Sequence, residues 1–327
     1  MKYFLAFLIS VAALLSTNSL YALELNSPDI PFHWELHTFV SQTVSDKAFL
    51  TGAEGQKVTL TGELRLPPGK GPFPAVILMH GSSGIGANID PWVRKITALG
   101  AATFVIDSVT GRSLISLGEK QGKLGRLNFI VDIYGALSVL ANHPKIDSNH
   151  IVVMGFSRGG QAALYAAVDR FNTLWNKSNV RFSGYIAFYP NCLTEYIEDT
   201  KTTGGPIRMF LGGKDDYNPA SSCVDYTKRL KTAGVDVNTV VYPNAQHAFD
   251  LPTAKAFSLE LKNAQTARNC SVKETSPGIL TNEATKKPFS YSDSCVEKGP
   301  HIGADPDARN QAYPAALKEL RKMLGLK

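Results

Sequence analysis

One serine stands alone between glycines in the run IVVMGFSRGGQ, residues 151–161: Ser157 has Gly155 two residues before it and Gly159 two residues after. The pattern G-x-S-x-G is weak by itself. Its context is specific, because an apolar β-rich run enters it and an Ala-rich helical pattern leaves it, the setting of a nucleophile elbow. A sharp strand-to-helix turn would strain the serine backbone and leave no room for side chains at the two glycines. It would also set the hydroxyl at the positive end of a helix dipole. Gly160 would let that helix approach the sheet. The plain alternative is a tight turn that happens to contain a serine.

A hydroxyl is a poor nucleophile without a base. In an elbow of this kind the partners follow later in the chain, acid first and imidazole second. FLGGKDDYNP offers Asp215 and Asp216, and VVYPNAQHAFD offers His247, each just past a predicted strand. Both sites then fall at C-terminal strand ends with Ser157, the edge where open α/β sheets bind ligands. That order and placement favour acyl chemistry over an incidental turn. An oxyanion would need two N–H donors. The amide of Arg158, next to the nucleophile, is one; the other is expected from HGSSG (80–84), at Ser82 first and Ser83 second. His80 reads as a structural residue of that turn. Arg112, in DSVTGRS, could hold a substrate carboxylate at the same edge or serve in an ion pair. His301 is expected to face solvent.

The elements that must position these residues alternate. KVTLTGELRLP (57–67) has the period of a half-exposed strand. FPAVILMHG (73–81), AATFVIDS (101–108), IVVMGF (151–156), GYIAFYP (184–190) and IRMFLGG (207–213) are continuous apolar runs suited to strands covered on both faces. VNTVVYP (237–243) is a shorter last strand. Helical patterns lie between them at 90–100, 128–144, 159–171 and 223–234, and a final one at 307–325 carries Pro314 near its first turn or at a kink. Such alternation predicts an α/β fold, a mostly parallel sheet with helices on both faces. Residues 264–306 lack periodicity and read as an irregular insertion, either a lid or a segment packed beside the sheet.

Residues 1–22 read as a secretory signal peptide: Lys2, an apolar run from Tyr3 to Leu15, then small and polar residues to Ala22. The run is too short to span a membrane. The chain from 23 to 327 is then one domain, secreted or periplasmic, with no membrane anchor once the signal is removed. In that setting four cysteines favour disulfides over metal binding, since none forms a C-x-x-C pair. Three pairings are open, and chain order favours Cys192 with Cys223 and Cys270 with Cys295. No metal site is expected. The 327 residues carry a formal charge of +6 with scattered Lys and Arg, which gives no stripe for nucleic acid. Oligomeric state is not legible.

HGSSG, GFSRGG, GGKDDYNPASSC and HAFD, in this order, resemble the dienelactone hydrolase family of α/β-hydrolases, from about residue 57 to the C-terminus and faintly across 264–306. The resemblance implies the α/β-hydrolase fold and hydrolysis of a small-molecule ester or lactone without a cofactor. It also selects Asp215, four residues before Pro219, over Asp216, which is expected to reach solvent or cap the helix near Cys223. Two departures stand out. The founding enzyme has Cys where this chain has Ser157, and its Glu near the oxyanion strand has no counterpart in HGSSGIGANID. The match is closer to exported relatives, in which the FYPNC and PASSC cysteines pair. The same residues could instead transfer an acyl group to an alcohol or cleave a peptide. A secreted binding protein could also keep the elbow without using it.

Overall fold

The computed structural model describes residues 33–327; the predicted signal peptide lies outside the described residues. Eight strands form one sheet: β1 (His33–Thr43), β2 (Gln56–Leu66), β3 (Phe73–Met79), β4 (Ala102–Asp107), β5 (Ile146–Phe156), β6 (Gly184–Phe188), β7 (Ile207–Gly212) and β8 (Val237–Tyr242). Their order is β1-β2-β4-β3-β5-β6-β7-β8. The first two ladders, β1 with β2 and β2 with β4, are antiparallel, and all others are parallel.

The long apolar runs are explained by burial on both faces. Along β3, Ala75, Ile77 and Met79 enter one core while Val76 and Leu78 enter the other, as the two-residue period of a strand requires. The first core packs against α3 (Asn128–Ala141), α4 (Arg158–Tyr165), α5 (Asp169–Trp175) and α6 (Ala220–Thr232). The second packs against α2 (Ile89–Ala98) and α7 (Pro306–Met323). On α2 the buried Trp92, Val93 and Ile96 share one face, and Gly100 follows its end at φ 88°, a left-handed position suited to glycine.

Four elements differ from the sequence expectation. β1 and the short helix α1 (Asp46–Thr51) are not anticipated; β1 shows the reverse of the usual alternation. Its outer face exposes Trp34, Leu36 and Val40, while His33, Glu35 and His37 lie on the face that ends in buried Phe39 and Ser41. The single helix expected at 159–171 is two. Ala167 accepts from the Thr203 N–H, Val168 bridges Thr202, and Asp169 donates to Lys201, so the chain at 201–203 interrupts the helical ladder. Pro314 sits inside α7 rather than near its first turn, which is built by Pro306 and by the Asp305 side chain accepting from Asp307 and Ala308 N–H at 3.0 Å.

The 264–306 segment is not structureless. It contains short strand pairs, 265–266 with 297–298 and a three-stranded patch of 272–276, 279–282 and 194–195. Disulfides join Cys270 to Cys295 within it and Cys192 to Cys223 between the β6 loop and α6, with Cα atoms 5.1 and 5.0 Å apart. Among the described residues no helix is long and apolar enough to cross a membrane.

Candidate active site

β5 ends at Phe156 and α4 begins at Arg158, so Ser157 alone makes the turn. Its φ of 56° and ψ of −118° are strained for any residue with a Cβ. The Ser157 N–H donates to the Phe188 carbonyl at 2.9 Å, which ties the turn to β6. The glycines are required by backbone contacts. A Cβ at Gly155 would stand 2.0 Å from the Gly159 carbonyl oxygen, and one at Gly159 would stand 2.3 Å from those of Met79 and His80. At Gly160 it would meet the Phe188 carbonyl at 2.5 Å, so helix and sheet could not approach.

His247 and Asp215 reach the serine from loops after β8 and β7. The Ser157 hydroxyl lies 2.9 Å from His247 Nε2, and His247 Nδ1 lies 2.7 Å from Asp215 Oδ2. A carboxylate only accepts, so Nδ1 carries the proton and Nε2 is left to accept from the hydroxyl. Asp215 and His247 are buried. The other Asp215 oxygen accepts from the Tyr217 and Asn218 N–H groups at 2.9 and 2.8 Å, which fixes the carboxylate plane. Tyr189 and Tyr217 flank the imidazole, with ring centroids 4.7 and 4.8 Å away. Behind Tyr189 lies Asp250, fully buried, which accepts from the Tyr189 hydroxyl at 2.5 Å, Trp92 Nε1 at 2.8 Å and Asn88 Nδ2 at 3.1 Å. Burial pushes this carboxyl up and outweighs those hydrogen bonds. It holds Tyr189 against the imidazole, a role no local motif announces.

The HGSSG turn lies against the serine: a Cβ on Gly81 would be 3.2 Å from Ser157 Cβ. Ser82 follows directly, and the Arg158 amide is the first of α4, one of the helix N–H groups with no intrahelical acceptor. His80 is structural. Its Nε2 accepts from the Ser108 N–H at 3.0 Å and its Nδ1 donates to the Gly81 carbonyl at 2.6 Å. Burial holds the ring below its ordinary pKa.

Arg112 is not in the site, contrary to the substrate-carboxylate expectation. Its side chain is buried, and its five N–H donors go to Thr43 Oγ1, the Ser108 and Gln42 carbonyls, and both oxygens of Asp132 at 2.7 and 2.9 Å. Nothing is left for a ligand. Replacing it (Arg112→Met) leaves Asp132 buried and unpaired and should cost about 3–5 kcal/mol in urea unfolding. A loss under about 0.5 kcal/mol would contradict this structural role.

Asp216 also differs from expectation, whereas the His301 side chain is 41% exposed, as expected. Asp216 is partly exposed but ion-paired, and it does not cap α6. It accepts from the His301 N–H at 2.7 Å, His301 Nδ1 at 2.9 Å and Arg268 at 3.1 Å, and so anchors the 264–306 segment. That segment walls a cavity of about 40 Å³ beside Ser157, together with Ser82, Gln121 and Tyr217. From it come Gln265, which accepts from the Gln121 N–H at 2.9 Å, Thr266, which donates to the Tyr217 carbonyl at 2.8 Å, and Tyr291. Arg126 and Arg158 are buried in the same wall, and among the described residues neither makes an ion pair with a carboxylate. Arg158 donates to the Gln121, Leu124 and Gly125 carbonyls, Arg126 to Thr194 Oγ1 and the Tyr291 hydroxyl. Their Nε atoms and Gln161 Nε2 have no hydrogen-bond partner among the described residues.

The dienelactone hydrolase family model matches residues 60–275. Human acylamino-acid-releasing enzyme is 23% identical over 259 residues, which are 68% of this chain and 34% of that enzyme. The chain thus spans about a third of that relative's length. A protein of Bradyrhizobium sp named "Probable 2-oxo-3-(5-oxofuran-2-ylidene)propanoate lactonase" is 26% identical over 202 residues, covering 58% of this chain and 80% of its own. Among solved structures, a dienelactone hydrolase-like promiscuous phosphotriesterase from metagenomic libraries superposes with a TM-score of 0.54 at 19% identity, over 88% of this chain and 98% of that one. With an α/β sheet, the strained serine turn and a model match over more than half its length, the chain belongs to the dienelactone hydrolase family of α/β-hydrolases.

Proposed function

We propose that this protein is an exported serine hydrolase that cleaves carboxylic esters or lactones through an acyl-enzyme. Family membership supports hydrolysis of this bond class. The single observation behind the mechanism is the unbroken chain of hydrogen bonds from Asp215 through His247 to Ser157, which sits at a positive-φ turn. In the proposed sequence His247 Nε2 takes the hydroxyl proton as Ser157 Oγ attacks the carbonyl. Asp215 holds the imidazole tautomer and stabilises the imidazolium. The amides of Arg158 and Ser82 receive the developing oxyanion. His247 then protonates the leaving alcohol, and water releases the acyl group with His247 again as base. Export rests on the apolar run at 3–15 and on two disulfides, which suit an oxidising compartment.

The acyl group sits in the cavity beside Ser157 in this reading. A volume of about 40 Å³ has room for roughly three water-sized groups. Its wall is largely polar, with Ser82, Gln121, Asn191 and Asn218 among the lining residues, which favours an acyl group bearing oxygen over a long alkyl chain. Comparison of p-nitrophenyl acetate with the octanoate tests this. We expect kcat/KM at least about tenfold higher for the acetate, the scale of a few unaccommodated methylenes. Preference for the octanoate would place the acyl group elsewhere.

A further inference from the structure

We propose that Glu35, His37 and His143 form a binding site for a divalent transition-metal cation, zinc foremost, at the outer edge of the sheet. No metal site is expected from the sequence patterns alone. Yet His33 and His37 are four residues apart in HWELH, with Glu35 between them. On a strand the two-residue period puts all three side chains on one face. Among the described residues β1 is an edge strand, paired only with β2. His143, just past the end of α3, meets that face from 106 positions further along the chain than His37 (143 − 37 = 106).

One oxygen of Glu35 lies 2.8 Å from His37 Nε2 and 3.1 Å from His143 Nε2, and the three ligand atoms all fall within 4.8 Å of one another. Tetrahedral zinc with bonds of about 2.0–2.1 Å holds its ligands roughly 3.3 Å apart. The carboxylate-to-imidazole spacings therefore need to open by only a few tenths of an ångström. Two imidazoles and one carboxylate suit zinc better than magnesium or calcium, which prefer oxygen. The other Glu35 oxygen is held by His33 Nε2 at 2.9 Å, which orients the carboxylate as outer-shell partners of metal ligands do. The three proposed ligand side chains are partly exposed, so an ion has a path in and water can complete its coordination. Binding has one local cost. His143 Nδ1 accepts from the Lys145 N–H at 3.2 Å, and coordination through Nε2 moves the ring proton to Nδ1 and forfeits that long, exposed bond. An occupied site would clamp β1 to the end of α3.

The test is calorimetric titration of zinc chloride into EDTA-treated, tag-free full chain. One equivalent should bind, and the thermal midpoint should rise with zinc concentration because only the folded state presents the site. Affinity should fall at least about tenfold in His143→Ala and in the near-isosteric Glu35→Gln, with unchanged far-UV circular dichroism, and by a smaller factor in His33→Ala. His150→Ala, at the separate pair with Asp147, should leave binding unchanged. No saturable binding by the wild type, or binding that persists in His143→Ala and folded Glu35→Gln, overturns the proposal.

Discussion

Ser157→Ala is expected to lower turnover of short p-nitrophenyl esters by on the order of 10³-fold or more, the scale for removing a nucleophile that acts as a unit with its base. The protein should stay folded. Alanine removes only the hydroxyl, and the backbone contacts that impose the turn, from Ser157 N–H to Phe188 and between the glycines and β3, involve no side-chain oxygen. Esterase assays beside urea unfolding separate the two effects. Near-normal turnover in the folded variant would mean that another group carries the chemistry.

The second large effect separates two adjacent acids. Asp215→Asn should cut turnover roughly 10⁴-fold, since an amide can donate to Nδ1 and favour the wrong imidazole tautomer. Asp216→Asn should cost no more than about tenfold. Its carboxylate points at Arg268 and His301, not at His247, and acts only through the wall that the 264–306 segment builds. The contact is partly exposed, so its loss should reduce stability by about 1 kcal/mol at most. Purified variants assayed at saturating substrate decide the matter. A dead Asp216→Asn beside an active Asp215→Asn would reverse the assignment.

The sheet is legible in the sequence because parallel strands buried on both faces must be apolar throughout, and five runs from 73 to 213 have that character. The serine turn is legible because its glycines answer to backbone contacts, which leave a fixed pattern in the chain. β1 is not, since an edge strand that exposes Trp34, Leu36 and Val40 carries no inward apolar period. For Arg112 the sequence leaves two readings open, a substrate carboxylate or an ion pair, and cannot select the second. Its position beside a strand end shows where its backbone lies, but its partner Asp132 lies on α3 and leaves no local trace. Asp250, Gln121, Gln265 and Tyr291 escape sequence reasoning likewise, because each reaches the site region from a separate segment. HWELH does not stand out as a ligand set because its partner His143 lies over a hundred residues away. The insertion looks structureless in sequence because strands of two to five residues are too short to show a period.

The central claim is that Ser157 is an activated nucleophile, and labelling with a fluorophosphonate followed by peptide mapping tests it most directly. Such a probe reacts with a serine whose proton has a base to go to, whatever the natural substrate. One adduct is expected, on the peptide containing Ser157, absent from Ser157→Ala and strongly slowed in His247→Ala. A folded wild-type protein that takes no label at Ser157, or takes it equally well without His247, would contradict an activated serine.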